Sequence, residues 1–409
     1  MTKVALLLIV YSTLTFSPHV LAERHISTVG NELPRKPDLA HRERGNAPDG
    51  DKSEFLPRPH LLWKFKSKGS FSSAPVVAQG KIVIGDRSGA LICLSADDGH
   101  KIWSRRFSGY FAASPVVAGE RIFAALSRRE ITYHQESGGG IFGSSSRVVQ
   151  TIEEEGEVRC MGLRHGQRRW KRNFSRPIHS QFTLSGDMLL VGCLDYKVYC
   201  LDRETGSVNW VFKTGAPVDV SPVVWEGMVL VGSRDGSISC LELHHKGRQR
   251  WSLDLGERIV AAPVCRAGRV YVGAANEKLR CIEIKSGRPV WEVKIDGSLA
   301  AAPIISRGAL FAATVDGNIV SIRLEDGRKL WSLHISRRFY SSPRLFFGRI
   351  VLSSDDGVIY CLDPKEGGVI WEYNLFSGEP AWLTVAGDRI FAAAPDRKVY
   401  CLGEVIGRR

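Results

Sequence analysis

The sequence predicts an all-β fold closed into a ring of eight equivalent units, and three features in phase carry that prediction. Tryptophan recurs at Trp63, Trp103, Trp170, Trp210, Trp251, Trp291, Trp331 and Trp371, at spacings of 40, 67, 40, 41, 40, 40 and 40 residues. A glycine follows each by 16 or 17 residues, from Gly80 to Gly387. Another precedes seven of them by four: Gly99, Gly166, Gly206, Gly247, Gly287, Gly327 and Gly367. Within one period, 209–213, 218–225, 228–233 and 237–243 read as short strands separated by Glu226-Gly227 and Asp235-Gly236. Gly and Asp-Gly supply the positive φ of tight hairpin turns. Four strands per period of about 40 residues make one blade, so the prediction is an eight-bladed β-propeller. The chain enters at a Trp-bearing outer strand (61–65) and leaves after an inner one (398–404). The first strand is therefore expected to complete the last blade, which removes free sheet edges.

The flanks read differently. A basic start (Met1-Thr2-Lys3), an apolar run over 4–16 and the small-residue site Val20-Leu21-Ala22 predict a signal peptide over 1–22. The run is shorter than the ~20 residues of a membrane span. Residues 23–60 hold five prolines and few large apolar side chains, so they read as a flexible leader. The expected organisation is 1–22 signal, 23–60 leader and 61–409 propeller, exported, soluble and monomeric, in a periplasm or outside the cell. Hydrophobic residues at 44% and charged residues at 24% exclude a wholly disordered chain, a collagen and a polytopic membrane protein.

The segments Cys200-Leu-Asp-Arg-Glu-Thr-Gly206-Ser-Val-Asn-Trp210 and Cys361-Leu-Asp-Pro-Lys-Glu-Gly367-Gly-Val-Ile-Trp371 resemble the PQQ-like β-propeller repeat, A-x-D-x-x-T-G-x-x-x-W. The resemblance covers about 61–409. It implies that each tryptophan docks on the glycine turn of a neighbouring blade. In length and blade count the chain is most similar to the propeller subunit of the bacterial outer-membrane β-barrel assembly machinery. That likeness implies a protein-binding scaffold in the cell envelope, acting in outer-membrane protein assembly.

Seven cysteines occupy one repeat position: Cys93, Cys160, Cys200, Cys240, Cys281, Cys361 and Cys401, with Ser321 as the eighth. That position calls for a small buried side chain, and free cysteine suits it. Equivalent positions in adjacent blades lie beyond the ~7 Å between Cα atoms that a disulfide tolerates. Cys193 and Cys265 have no assigned role. No C-x-x-C pair, G-x-S-x-G elbow or H-E-x-x-H occurs. Asp235, Asp316, Asp355 and Asp396 sit in turns that explain them. His244-His245 lacks a third metal ligand. The expectation is no catalysis, no metal and no cofactor. Family enzymes carry an adjacent Cys-Cys pair, absent here, although a PQQ-dependent dehydrogenase stays open as an alternative.

Loops that join one blade's outer strand to the next blade's inner strand are rich in cations and aromatics. Arg105, Arg106, Tyr110 and Phe111 belong to one, and Lys171, Arg172, Phe174 and Arg176 to the next. Arg337, Arg338, Phe339 and Tyr340 belong to another, and Trp382 opens an inner strand. Cations attract an anionic partner over distance and aromatics supply rigid contact area. This face is the expected binding surface for a protein partner with an acidic domain or peptide; the same residues also suit a solvated rim. The 27-residue excess between Trp103 and Trp170 falls on this face and predicts a hairpin over 127–156 with a soft Gly-Ser tip. An anionic glycan is the second alternative ligand. Nucleic acid fits the net charge of +13 but not export.

Overall fold

The computed structural model describes residues 58–140 and 143–403, and of 130–152 the backbone alone. The expected signal peptide and nearly all of the expected leader lie outside these residues. Among those described, no helix is long and apolar enough to cross a membrane.

Eight four-stranded antiparallel sheets form the ring. Blade 1 runs Val76–Ala78, Lys81–Gly85, Ala90–Ser95 and Lys101–Arg106 from the innermost strand outward. Blades 2 to 7 repeat this order, with innermost strands opening at Val116, Thr183, Val223, Val264, Ile304 and Arg344. Blade 8 takes Trp382–Ala386, Arg389–Ala393 and Lys398–Gly403 from the end of the chain and His60–Lys66 from its beginning. The expected ring closure is thus the observed one, and the strand starts at His60, inside the segment read as leader. The innermost strand expected over 218–225 shortens to Val223–Trp225. Val218 and Val220 are buried, so the chain there packs against its neighbours instead of pairing.

The two glycine and tryptophan registers explain each other. The Trp63 ring lies over Gly99 of blade 1, close enough that a Cβ on that glycine would sit 2.4 Å from it. Gly166, Gly206, Gly247, Gly287, Gly327 and Gly367 receive Trp103, Trp170, Trp210, Trp251, Trp291 and Trp331 in the same way, each from the preceding blade. These glycines also hold φ between +64° and +76°, a region that disfavours side chains. The indole Nε1 of each of these seven tryptophans donates to a backbone carbonyl beside the turn, at 2.7 to 3.2 Å. Trp371 is 7% exposed, and its Nε1 has no partner among the described residues. The register counts 33 residues on, as for Trp331 and Pro364, to Glu404, which lies outside them.

The repeated cysteine stands directly across the strand pair from the tryptophan. Cys200 opposes Trp210, Cys361 opposes Trp371, and Cys401 opposes Trp63. All seven are fully buried, and all nine thiols are free. Burial pushes the Cys93 and Cys200 thiols up to about 11 and Cys193 and Cys361 up to about 12. A thiol so raised is poorly nucleophilic. Cys193 also donates from Sγ to the Arg176 carbonyl at 3.3 Å, tying down the loop after blade 2. Ser321 takes the eighth place, and its buried hydroxyl has no partner among the described residues.

The insertion is a two-stranded ribbon. Arg121–Gly140 and Gly143–Gly162 pair in continuous register from Arg121↔Gly162 to Gly140↔Gly143. The flanking strands of blade 2 cover only its base, up to Phe123 on one side and Gly156 on the other.

Two outcomes test these contacts. Gly247→Ala should cost about 2–4 kcal/mol through backbone strain plus the clash with Trp210. Gly268→Ala, with φ of +73° but open space around it, should cost about 1–2 kcal/mol. Urea unfolding of both variants separates the two terms. Ser321→Cys should raise stability by about 1 kcal/mol, because it replaces an orphaned hydroxyl; a thermal melt reads it.

Candidate functional site

The blade-connecting loops are built around a buried plug. Phe111, Val218, Ile259 and Leu299 each press on a glycine at or next to the end of the second strand of the preceding blade: Gly85, Gly192, Gly232 and Gly273. A Cβ on Gly85 would lie 2.4 Å from Phe111. Phe111 is 1% exposed, and Phe339 and Phe174 are buried as well. These three aromatics, expected to meet a partner, instead seal seams between blades. The reason is general to the ring: the wedge between two splayed sheets must be filled with apolar volume.

The predicted cations divide by location. Arg105 and Arg172 stand two residues beyond a docking tryptophan, on the flank facing the next blade. Arg105 donates to the His165 carbonyl at 2.9 Å and Arg172 to the Gly206 carbonyl at 2.9 Å. Both staple adjacent blades and neither is free on the loop face. Lys171 lies 3.7 Å from Glu157, a carboxylate 2% exposed that Arg128 also meets at 3.0 Å and Arg159 meets closely. Arg159 in turn stacks 4.2 Å above Phe107. This charge cluster anchors the base of the ribbon. Tyr110 belongs to the same anchor, exchanging backbone hydrogen bonds with Ser127 at 2.8 and 2.9 Å. Arg106 donates to the Ser88 hydroxyl at 3.1 Å and stays exposed, as does Arg176. Arg337 is held 2.9 Å from Asp356, and the Tyr340 hydroxyl holds the Arg338 guanidinium above its ordinary value. Asp356, not Asp355, is the turn residue that accepts from Ser354, at 2.5 Å. Asp235 and Asp396 serve their turns as expected.

Tyr340 and Trp382 converge with residues that the sequence reading missed. Both line a cavity of about 210 Å³ at the mouth of the central channel. His179, Arg344, Ser73, Ser114 and Ser341 also line it, and no Asp or Glu does. Arg344 Nε donates to the Leu383 carbonyl at 3.0 Å. No ion pair among the described residues involves its guanidinium, which burial pushes below its ordinary value. Three buried atoms around the cavity have no partner among the described residues: Ser73 Oγ, Ser341 Oγ and His179 Nε2. The sequence held a signal for Arg344. The innermost-strand position that pairs with the third residue of the next strand is Val76, Val116, Thr183, Val223, Val264 and Ile304 in blades 1 to 6 and Thr384 in blade 8. Arg344 is the charged member of that set. Thr183 and Thr384 donate from Oγ1 to the next blade's Pro222 and Pro75 carbonyls, the bond that Arg344 makes with Nε. Among the described residues, no group of three or more His, Cys, Asp or Glu side chains could hold a metal ion.

A family model described as the β-propeller of the beta-alanine-activating enzyme matches residues 140–381, more than half of the chain. A second, described as outer membrane protein assembly factor BamB, matches 59–139. The beta-alanine-activating enzyme of Mus musculus is 31% identical over 109 residues, which are 25% of this chain and 9% of that protein. The Danio rerio enzyme is 30% identical over 107 residues, 24% of this chain and again 9% of that protein. The match thus spans less than a tenth of these relatives' length. Among solved structures, BamB from Moraxella catarrhalis superposes with a TM-score of 0.70 at 18% identity, covering 85% of this chain and all of that one. The quinohemoprotein alcohol dehydrogenase ADHIIG from Pseudomonas putida HK5 superposes at 0.65 with 12% identity, over 84% of this chain and 76% of its own. Likenesses at such identity concern the fold, an eight-bladed PQQ-like propeller.

Burial pushes the His179 imidazole below its ordinary value, opposed in part by Asp219 and reinforced by Arg234. The folded chain then binds fewer protons than the unfolded one. Stability from this group is complete above about pH 6.5, the ordinary histidine value, and falls with acidification through and below it. Thermal melts from neutral to mildly acidic pH should show a steeper loss in the wild type than in His179→Gln. Equal slopes would mean that His179 carries no such linkage.

Proposed function

We propose a binding role for this chain, which belongs to the family described as the β-propeller of the beta-alanine-activating enzyme. It acts as a rigid scaffold, does no chemistry of its own, and presents its loop face to a protein partner. The observation that carries this reading is the presence of two aromatics, Tyr340 and Trp382, at the cavity, with the exposed Arg337 and Arg338 on the loop that leads to Tyr340. Aromatic and arginine side chains together are the usual anchors of protein interfaces. A ring of docked blades holds them in place without a large ordering cost on binding. The partner presents an acidic domain or peptide, because the exposed cations favour it.

On this reading the protein works after export, in a cell envelope. The apolar run over 4–16 and the small residues ahead of position 23 support export. The fold likeness to BamB supports a role like outer-membrane protein assembly. The chemistry of the thiols supports the non-catalytic part, since buried, raised cysteines make poor nucleophiles.

Cross-linking and affinity capture from the native envelope test the proposal. Reversing Arg106, Arg176, Arg337 and Arg338 to Glu together should lower partner recovery about tenfold or more. The melting temperature should hardly move, because none of the four staples two blades. Undiminished recovery would move the binding surface elsewhere on the ring.

A further inference from the structure

We infer that the channel-mouth cavity is a binding site for a monoanionic carboxylate carried on a short apolar stem. The inference deepens the binding reading above and rests on it in taking the loop face as the functional one.

The cavity's chemistry selects charge first. One guanidinium, Arg344, enters it, and no acid lines it. A half-buried cation without a counter-charge is partly desolvated, and an anionic ligand offsets that cost. The guanidinium is a planar fork suited to two carboxylate oxygens. Its Nε is already committed to Leu383, which fixes the group and leaves the Nη side for the ligand. Geometry thus supplies a positioned cation, not a mobile surface arginine.

The neighbours select a carboxylate over a doubly charged phosphate. Arg344 is the one lysine or arginine among the residues that line the cavity, and burial holds the imidazole of His179 toward its neutral form. The unpaired Ser73 and Ser341 hydroxyls belong to residues that line the cavity, and rotation of either side chain lets it donate to a carboxylate oxygen. Buried polar atoms are rarely left unpaired, so three around one cavity point to a ligand that pairs them. Ala74, Ala112, Ala113 and Ala301 form the apolar part of the wall. Tyr340 and Trp382 close the rim with flat surface. A volume of about 210 Å³ is below the roughly 300–1,000 Å³ of pockets for drug-sized ligands. It suits a few carbon atoms behind the charged group.

Two sources share this chemistry: a free short-chain acid, and the C-terminal carboxylate of a partner's peptide. Calorimetric titration of the intact chain with hexanoate, hexanamide and inorganic phosphate tests the site itself. Hexanoate should bind at least tenfold more tightly than the neutral amide and more tightly than phosphate. Arg344→Thr is the matched variant, because threonine at this position in blades 3 and 8 keeps the inter-blade hydrogen bond. It should fold normally and lose at least tenfold in hexanoate affinity. Equal binding of acid and amide, equal binding of phosphate, unchanged affinity in Arg344→Thr, or no hexanoate binding at millimolar concentrations would each overturn the assignment. A short apolar peptide with a free C-terminus, set against its amidated form, identifies the source. Preference for the peptide acid over hexanoate names a chain end, and the reverse names a free acid; either supports the site. Partner capture with Arg344→Thr separates this inference from the scaffold reading. Loss of hexanoate binding with capture intact supports the carboxylate site and leaves the scaffold standing on its own surface.

Discussion

Among the described residues, seven of the eight blades are completed by a side chain from the blade before. A tryptophan on the outer strand lies flat on the next blade's glycine turn and hydrogen-bonds a carbonyl beside it. Two demands then fall on one residue. The turn needs positive φ, and the ring needs the space a Cβ would fill, so only glycine serves. The small buried residue opposite the tryptophan follows from the same contact. A side chain larger than cysteine there would lift the indole off its neighbour, and serine fits by size while leaving a hydroxyl unpaired. A four-stranded blade with one apolar flank exposed would be marginal alone, and this contact is how eight of them become one body.

Other long side chains reinforce that contact. Arg269 and Arg389 reach from a second strand to carbonyls of the next blade's turn, at 3.2 to 3.4 Å and 2.7 to 3.2 Å. Arg105 and Arg172 do so from outer strands. Some of the basic side chains are therefore part of the seams, where a guanidinium satisfies carbonyls that a hairpin turn leaves open. A basic composition in such a ring does not translate directly into a basic surface. What remains exposed on the loop face is a smaller set that includes Arg106, Arg176, Arg337 and Arg338. Arg344 stands at a strand position that valine, isoleucine or threonine fills in the other seven blades, so one arginine brings charge to a cavity wall that lacks it elsewhere.

The sequence by itself determined the number of blades, their four-strand composition, the closure by the first strand, and the tryptophan–glycine contact. All of these are periodic, and a period repeated eight times is legible against the background of any one blade. It also determined that the repeated cysteines are buried packing residues, because they share one phase with the tryptophans. The candidate site was legible only in part. Tyr340 and Trp382 were read as surface aromatics and do line the cavity. Phe111, Phe174 and Phe339 were read the same way and are buried, since a loop's composition does not say which of its residues fills the wedge between two sheets. Arg105 and Arg172 looked free because strand phase relative to a neighbouring blade is a tertiary property. The convergence of Ser73, His179, Ser341 and Arg344 was decided by the closed ring alone. Those four come from loops and strands of blades 1, 3 and 7, far apart in the chain, and only curvature around a common axis brings them within reach of one ligand.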